Sequence, residues 1–381
     1  MSYQGHYSPP PRQQVLYGRP CAEALASELA RLGASRAVFV TNNSLAAPGQ
    51  LGPLIRDALG AACVGEVTGI RAHSPREDVI RIVLALQHHH ADVVIALGGG
   101  SVCDATKAAI LCAENDITES DAIDRLQTED AMRTPSIPYI MVPTTLSAGE
   151  FTAYAGVTDE RVPRKEVLFH PDIAPDSVIL DPAMTLATPP RLWFGTGIRA
   201  VDHFVETWCS VNVTPPCEAT ALHAARLLPQ ALRRCLAAPE DLDSRLECQI
   251  GAWLSVQGVA SGVDLGASHG IGHILGGTAG MPHGETSCVM LPHVLRYNAL
   301  VNADRQHALA SAMGDAETPL SDQIQKLVAE LGLPGALREA DVPRDMLPTL
   351  AEESMLDMWI KTNPRPIESS SEVLPLLEAA W

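Results

Sequence analysis

The first half of the chain alternates β-rich runs with amphipathic stretches. Cys21–Leu32 carries apolar residues at helical spacing, and Ala37–Thr41 is a short β-rich run ending at Asn42-Asn43. Arg76–His90 reads as an amphipathic helix. Asp92–Leu97 is an apolar strand that runs into Gly98-Gly99-Gly100-Ser101, with a helix expected over Val102–Cys112. Tyr139–Val142 repeats the strand pattern and ends at Pro143-Thr144-Thr145. Strands alternating with helices predict a parallel sheet covered on both faces. Ligands then bind beyond the carboxyl ends of the strands, where all three polar turns lie.

Past Asp181-Pro182 the β-branched runs vanish. Helical segments are expected at Gly197–Ser210, Ala219–Leu236, Ser244–Gly258, His269–Gly276, Ala303–Met313 and Leu320–Leu331. The pattern predicts an α/β, Rossmann-like domain over 1–185 and an all-helical domain over 186–381. Ser8–Pro11 and Thr362–Pro366 are punctuation between elements.

Composition narrows the function classes. Lys plus Arg is 27 and Asp plus Glu is 45, so the formal charge is 27 − 45 = −18. Such a surface repels phosphate backbones, which excludes a nucleic-acid partner. No apolar run reaches the roughly 18–20 residues of a membrane span, and the first residues lack the apolar core of a signal peptide. A soluble cytoplasmic protein is expected. The nine cysteines are scattered without a C-x-x-C, so they are expected to be small buried residues rather than disulfides or zinc ligands.

Gly98–Ser101 follows a strand and opens a helix. Its glycines let a pyrophosphate approach the backbone, and the helix start supplies N–H groups and positive potential. Cys103 stands where the full Rossmann fingerprint has its last small residue, so the turn is phosphate-binding but of another type. Asp104 and Lys107, in the next two turns, either pair with each other or face the cofactor. Two patterns are decoys. Gly195-Thr196-Gly197-Ile198-Arg199-Ala200 fits G-x-G-x-x-A but follows no strand. Gly266-Ala267-Ser268-His269-Gly270 fits the serine-hydrolase elbow but lies among helices.

The histidines carry the strongest local signal. His269 and His273, four apart, share a helix face. His283 follows in the turn Met281–Gly284, and His203 sits on an earlier helix. Clustered imidazoles suit either a divalent metal or proton transfer. His88-His89-His90 is a solvated helix end.

These residues together resemble the iron-containing alcohol dehydrogenase superfamily, whose fold is shared with dehydroquinate synthase and glycerol dehydrogenase. The resemblance rests on Asp92–Lys107, Val142–Thr152, Gly197–Glu206, Gly266–Gly276 and Met281–Asn298, in the family's order and spacing. Within it the chain is most similar to the maleylacetate reductase branch, through Thr144-Thr145, Thr152–Thr158, Pro171–Asp181 and Asn363-Pro364-Arg365-Pro366. That branch reduces the conjugated C=C of maleylacetate to 3-oxoadipate with NADH or NADPH. The resemblance implies a cofactor site at Asn42, Gly98, Gly99, Gly100, Ser101, Asp104, Thr144 and Thr145. It implies chemistry in the cleft between the domains, on a small carboxylated substrate beside Arg199, His283 and Thr152. A homodimer is expected.

The family's metal set is one Asp and three His. The histidine positions are His203, His269 and His283, with His273 a nearby non-ligand. Arg199 stands at the Asp position. A guanidinium beside a dication is repulsive by several kcal/mol, on the order of a close pair at modest dielectric. No metal is therefore expected. Arg199 is instead a five-donor fork suited to a carboxylate, or it pairs along its helix with Asp202 or Glu206. His273, His269, His203 and Arg199 are the expected catalytic groups. The competing readings are a metal-dependent alcohol dehydrogenase or aldehyde reductase of the same fold, a dehydroquinate synthase-type enzyme, and a serine hydrolase at Ser268.

Overall fold

The computed structural model describes residues 6–128, 132–161 and 164–381. The chain forms two units, Pro11–Thr188 and Pro189–Trp381, the latter joined by residues 6–10. The division falls three residues beyond the expected 185/186.

Among the described residues the first unit holds eight strands: β1 (Gln14–Tyr17), β2 (Ala37–Thr41), β3 (Cys63–Val67), β4 (Val93–Gly98), β5 (Tyr139–Pro143), β6 (Tyr154–Asp159), β7 (Arg164–Phe169) and β8 (Ser177–Leu180). Its helices are α1 (Cys21–Leu32), α2 (Asn43–Ala46), α3 (Leu51–Leu59), α4 (Arg76–His88), α5 (Gly100–Glu114) and α6 (Arg125–Thr128). Six strands form a parallel sheet in the order β1-β8-β5-β4-β2-β3, while β6 and β7 pair as an antiparallel ribbon. The chain runs outward from β2 to β3, then crosses back to β4. Its direction reverses between β2 and β4, the switch point where doubly wound sheets bind ligands. This is the flavodoxin-type order with β1 added at the far edge, rather than the Rossmann order.

Both sheet faces are buried, which is why β2, β4 and β5 read as continuous apolar runs. Val38, Val40, Val94, Ala96 and Met141 pack on the side of α4 and α5. The alternate residues Phe39, Ile95, Leu97, Ile140 and Val142 pack with Leu25, Ile55 and Leu59. The helix expected over Arg76–His90 stops at His88, because His90 takes a left-handed φ of 46°.

The second unit is helical: α7 (Pro190–Cys209), α8 (Pro215–Ala237), α9 (Leu242–Ser255), α10 (Gln257–Ala260), α11 (Ala267–Gly277), α12 (His283–Ala312), α13 (Leu320–Glu330), α14 (Leu347–Ser354) and α15 (Ser370–Ala380). The expected turn at Met281–Gly284 is a helix start: Pro282 caps α12 and His283 is its first residue. Pro292 lies inside α12, which kinks at Asn302. The first decoy is part of a helix crossing. A Cβ on Gly284 would stand 2.7 Å from the Gly195 carbonyl carbon, so α7 and α12 meet backbone to backbone. All nine cysteines are free thiols, eight buried and Cys63 partly so. Among the described residues, no helix is long and apolar enough to cross a membrane.

Candidate active site

In the first unit the three polar turns close β2, β4 and β5 side by side. Gly99 caps the 15-residue α5, and the Thr144 N–H donates to the Gly98 carbonyl at 2.8 Å. A Cβ on Gly99 would lie 2.8 Å from Thr145 Cγ2, so only glycine lets β5 come this close. Ser101 Oγ accepts the His73 N–H at 3.0 Å, and the Ser101 carbonyl accepts Ser74 Oγ at 2.9 Å. His73 and Ser74 both hold left-handed backbones (φ 64° and 50°), a strain held here by their bonds to Ser101. A helix N-terminus behind a glycine cradle fits a pyrophosphate.

Asn42 does not stand open. Its Oδ1 caps α2, accepting the Leu45 N–H at 2.9 Å and Ser44 Oγ at 2.8 Å. Asp104 and Lys107 do not pair with each other. Asp104 accepts the Gly156 N–H at 3.1 Å. The buried Lys107 ammonium donates to the carbonyls of Gly149, Thr152 and Tyr154 at 2.6–2.9 Å. Thr152 belongs to this unit and donates its hydroxyl to Gly149.

In the second unit, α7 presents Arg199, Asp202, His203 and Glu206 on one face, at i, i+3, i+4 and i+7, and all four are buried. From α11 come Ser268, His269 and His273; from α12 come His283 and Ser287. The His203 and His269 rings stack at 5.1 Å between centroids, and those of His273 and His283 at 5.7 Å. Glu206 accepts the N–H groups of Gly266 and Ser268 and lies 2.7 Å from His269 Nδ1. Asp202 Oδ2 accepts the hydroxyls of Ser268 at 2.7 Å and Ser287 at 2.6 Å. His273 Nδ1 lies 2.9 Å from Asp357 Oδ2.

Arg199 is 4% exposed. Its Nη1 donates to Ser287 Oγ at 3.1 Å and lies 3.9 Å from Asp202 Oδ2, while Nε and Nη2 make no hydrogen bond among the described residues. Of the two partners expected along the helix, Asp202 is the one within ion-pair distance, and the pair is buried. Three buried polar atoms lack partners here: Asp202 Oδ1, His203 Nδ1 and His269 Nε2. Such orphans cost free energy and mark a place for a ligand. Burial, reinforced by Arg199, holds His203 down to about 3 and His269 well below the ordinary imidazole range, so both are neutral. Burial pushes Asp202 up to about 6, and burial with the Asp202 charge pushes Glu206 up to about 8.

The donor set does not fit a divalent cation in the family's manner. Among the described residues, two groups bring three candidate ligand atoms within 4.8 Å, and His203, His269 and His283 are not one of them. Asp202, Glu206 and His269 are, but these carboxylates already accept hydroxyl, N–H and imidazole groups. Arg199 adds a fixed positive charge. The serine-hydrolase alternative also fails: Ser268 lies within α11, not after a strand, and its hydroxyl donates to Asp202.

Residues 11–182 match the family model for iron-containing alcohol dehydrogenases, and residues 194–381 match that for the C-terminal part of the same family. The chain belongs to the iron-containing alcohol dehydrogenase family. It is an oxidoreductase near the maleylacetate reductase branch. It is 33% identical to Dehydrogenase FUM7 of Gibberella moniliformis over 96% of both chains. It is 29% identical to lactaldehyde reductase of Escherichia coli, over 96% of this chain and 97% of that one. The crystal structure of maleylacetate reductase from Agrobacterium tumefaciens superposes with a TM-score of 0.83 at 28% identity, covering 100% of this chain and 99% of that one. The family is named for iron, so membership lends nothing to the expectation of a metal-free site, which rests on Arg199.

Sequence reasoning missed Ser287, His73 and Asp357, and it read Asp202 and Glu206 only as partners of Arg199. The helical spacing of 199, 202, 203 and 206 was the available signal for the acids. Nothing local points to Asp357, which lies 84 residues from His273.

Proposed function

We propose that this protein reduces the conjugated C=C of a small carboxylated enone with NADH or NADPH, in the manner of a maleylacetate reductase and without a metal ion. The observation that carries this is Arg199. A buried guanidinium with its Nε–Nη2 edge unfilled is a fork for one planar carboxylate. Asp202 and Ser287 hold its other side.

Gly98–Ser101 would hold the pyrophosphate of a nicotinamide cofactor, which would supply the hydride that an enone takes at its β-carbon. The electron pair of the C=C then moves toward the carbonyl oxygen, and this charge needs preorganised donors. Arg199 binds the carboxylate and adds positive potential beside the developing enolate. His203 and His269 are neutral, so they offer hydrogen bonds rather than net protons. A proton delivered to the α-carbon by an imidazole completes the reaction. A homodimer belongs to the same proposal.

The test is a screen of NAD(P)H oxidation against maleylacetate and short oxo-acids, using protein dialysed against chelator. Stoichiometric reduction of the carboxylated enone is expected. Activity on uncharged aldehydes alone, restored only by iron or zinc, would instead establish the metal-dependent alcohol dehydrogenase reading.

A further inference from the structure

α5 carries the glycine turn at its start and, behind it, two charged side chains one turn apart, Asp104 and Lys107. Lys107 is fully buried, and the proposed chemistry makes no use of it. An ammonium has three N–H donors and no acceptor. Lys107 spends all three on backbone carbonyls: Gly149 at 2.6 Å, Thr152 at 2.8 Å and Tyr154 at 2.9 Å. A charge this deep persists only where its donors are satisfied, and here every acceptor comes from one short stretch of chain.

That stretch leads back to the cofactor turn. The Thr144 N–H donates to the Gly98 carbonyl at 2.8 Å. Thr145 covers Gly99, and a Cβ on Gly100 would lie 3.3 Å from Ser147 Oγ. The Thr145 and Ser147 hydroxyls are 3.2 Å apart and share a hydrogen bond. On the far side, Asp104 accepts the Gly156 N–H at 3.1 Å. Between the two lies Ala148, buried and left-handed at φ 59° although it carries a Cβ. Such a backbone persists only where its surroundings impose it. The carbonyl of the next residue, Gly149, is the nearest of the three to the Lys107 ammonium. One helix therefore presents the turn at its N-terminus and grips, with its own side chains, the segment that lies over that turn.

We infer that Lys107 is a positioning residue for the cofactor site: by gathering three carbonyls it holds Thr144–Ser147 against Gly98–Gly100 and keeps the cradle in its binding shape before the cofactor arrives. This rests on reading Gly98–Ser101 as the pyrophosphate cradle. Without the ammonium, three carbonyls lose a donor and Gly149–Tyr154 relaxes. The edge over the glycine turn relaxes with it. Binding must then order what Lys107 orders in advance, and affinity falls by that amount. Arg199 and the histidines belong to the second unit, so the loss falls on cofactor binding rather than on the chemical step.

Hydrogen exchange, with neither cofactor nor substrate present, tests the pinning. Lys107→Gln keeps at most two donors and no charge. It is expected to speed exchange at least about 10-fold at the amides of Val102, Cys103, Thr144 and Gly156, with the second unit unchanged. Should that variant fail to fold, Lys107→Arg serves in its place, because a planar guanidinium cannot set three N–H groups around the point the ammonium occupies. Wild-type exchange at these amides in the variant that folds overturns the inference. Fluorescence titration with NADH separates positioning from mere structure. Kd is expected to rise at least about 10-fold, and with maleylacetate the KM for NADH should rise as much while kcat stays within about threefold. A variant that unfolds earlier in urea but keeps the wild-type Kd, or loses kcat without a change in Kd, overturns it. If wild type binds neither NADH nor NADPH, the cofactor reading falls instead, and the exchange measurement still decides whether Lys107 shapes the turn.

Discussion

Arg199 and Asp202 lie one turn apart on α7, both buried, and Ser287 Oγ bridges them: it accepts from Arg199 Nη1 at 3.1 Å and donates to Asp202 Oδ2 at 2.6 Å. A buried cation thus has its counter-charge held beside it, and one edge left over. An ion pair this deep is no stability gain by itself, because desolvation offsets the attraction. Its value is an oriented positive charge.

Changing that charge should change what the site holds. Arg199→Asp restores an acid at the position where the family resemblance places the fourth metal ligand, beside His203, His269 and His283. Titration with cobalt(II), read by its visible absorption, is expected to show binding at least about 100-fold tighter than in wild type, or about 3 kcal/mol. Reduction of maleylacetate should be lost in the same variant. Equal cobalt affinity in the two proteins would contradict the account of the site.

Asn42 predicts relaxed cofactor choice. Its Oδ1 is committed to the α2 cap, and an amide carries no negative charge to repel a 2′-phosphate. NADH and NADPH should differ in kcat/KM by no more than roughly 30-fold, about 2 kcal/mol. Asn42→Asp should keep the cap and penalise NADPH by at least about 30-fold. A wild-type preference beyond roughly 1,000-fold is the contrary result.

Glu150 should make the first unit sensitive to pH. It is fully buried, and desolvation raises its carboxyl to about 7 despite the nearby Lys107. In the unfolded chain it titrates near 4.5. The folded state therefore binds the extra proton between these values. Stability from this group is complete below pH 4.5 and falls as pH rises toward 7. Glu150→Gln removes the cost. At pH 8 it should unfold later in urea by about 2–3 kcal/mol, and at pH 4.5 by less than about 0.5 kcal/mol. An equal shift at both values would show that Glu150 is not buried as a neutral acid.

The parts of the molecule that follow local rules were legible in the sequence. α1 and β2 fall where their spacing puts them, and the turns after β2, β4 and β5 lie at one sheet end, because a parallel sheet forces them there. The edge strands β1 and β3 were not legible, since half-exposed strands of four or five residues carry no continuous apolar run. The start of α12 was hidden by Pro282, which reads as part of a turn but serves as the cap, while Pro292 sits inside the helix and the kink comes at Asn302. In the site, the histidines announced themselves by spacing. The acids did not: a buried Asp or Glu looks like any surface charge until its donors are known. Asp202 is explained by Ser268, Ser287 and Arg199, and Asp357 by His273 and Trp359, all brought together by tertiary packing.

If Arg199 grips a substrate carboxylate, steady-state kinetics of Arg199→Ala on maleylacetate will read the loss of that contact. Losing a charge-assisted, partly desolvated contact should cost about 2–4 kcal/mol, a fall in kcat/KM of roughly 30- to 1,000-fold. Arg199→Lys should recover only part, because an ammonium cannot present two parallel donors. A kcat/KM within about threefold of wild type in Arg199→Ala would contradict the account, leaving Arg199 as no more than the partner of Asp202.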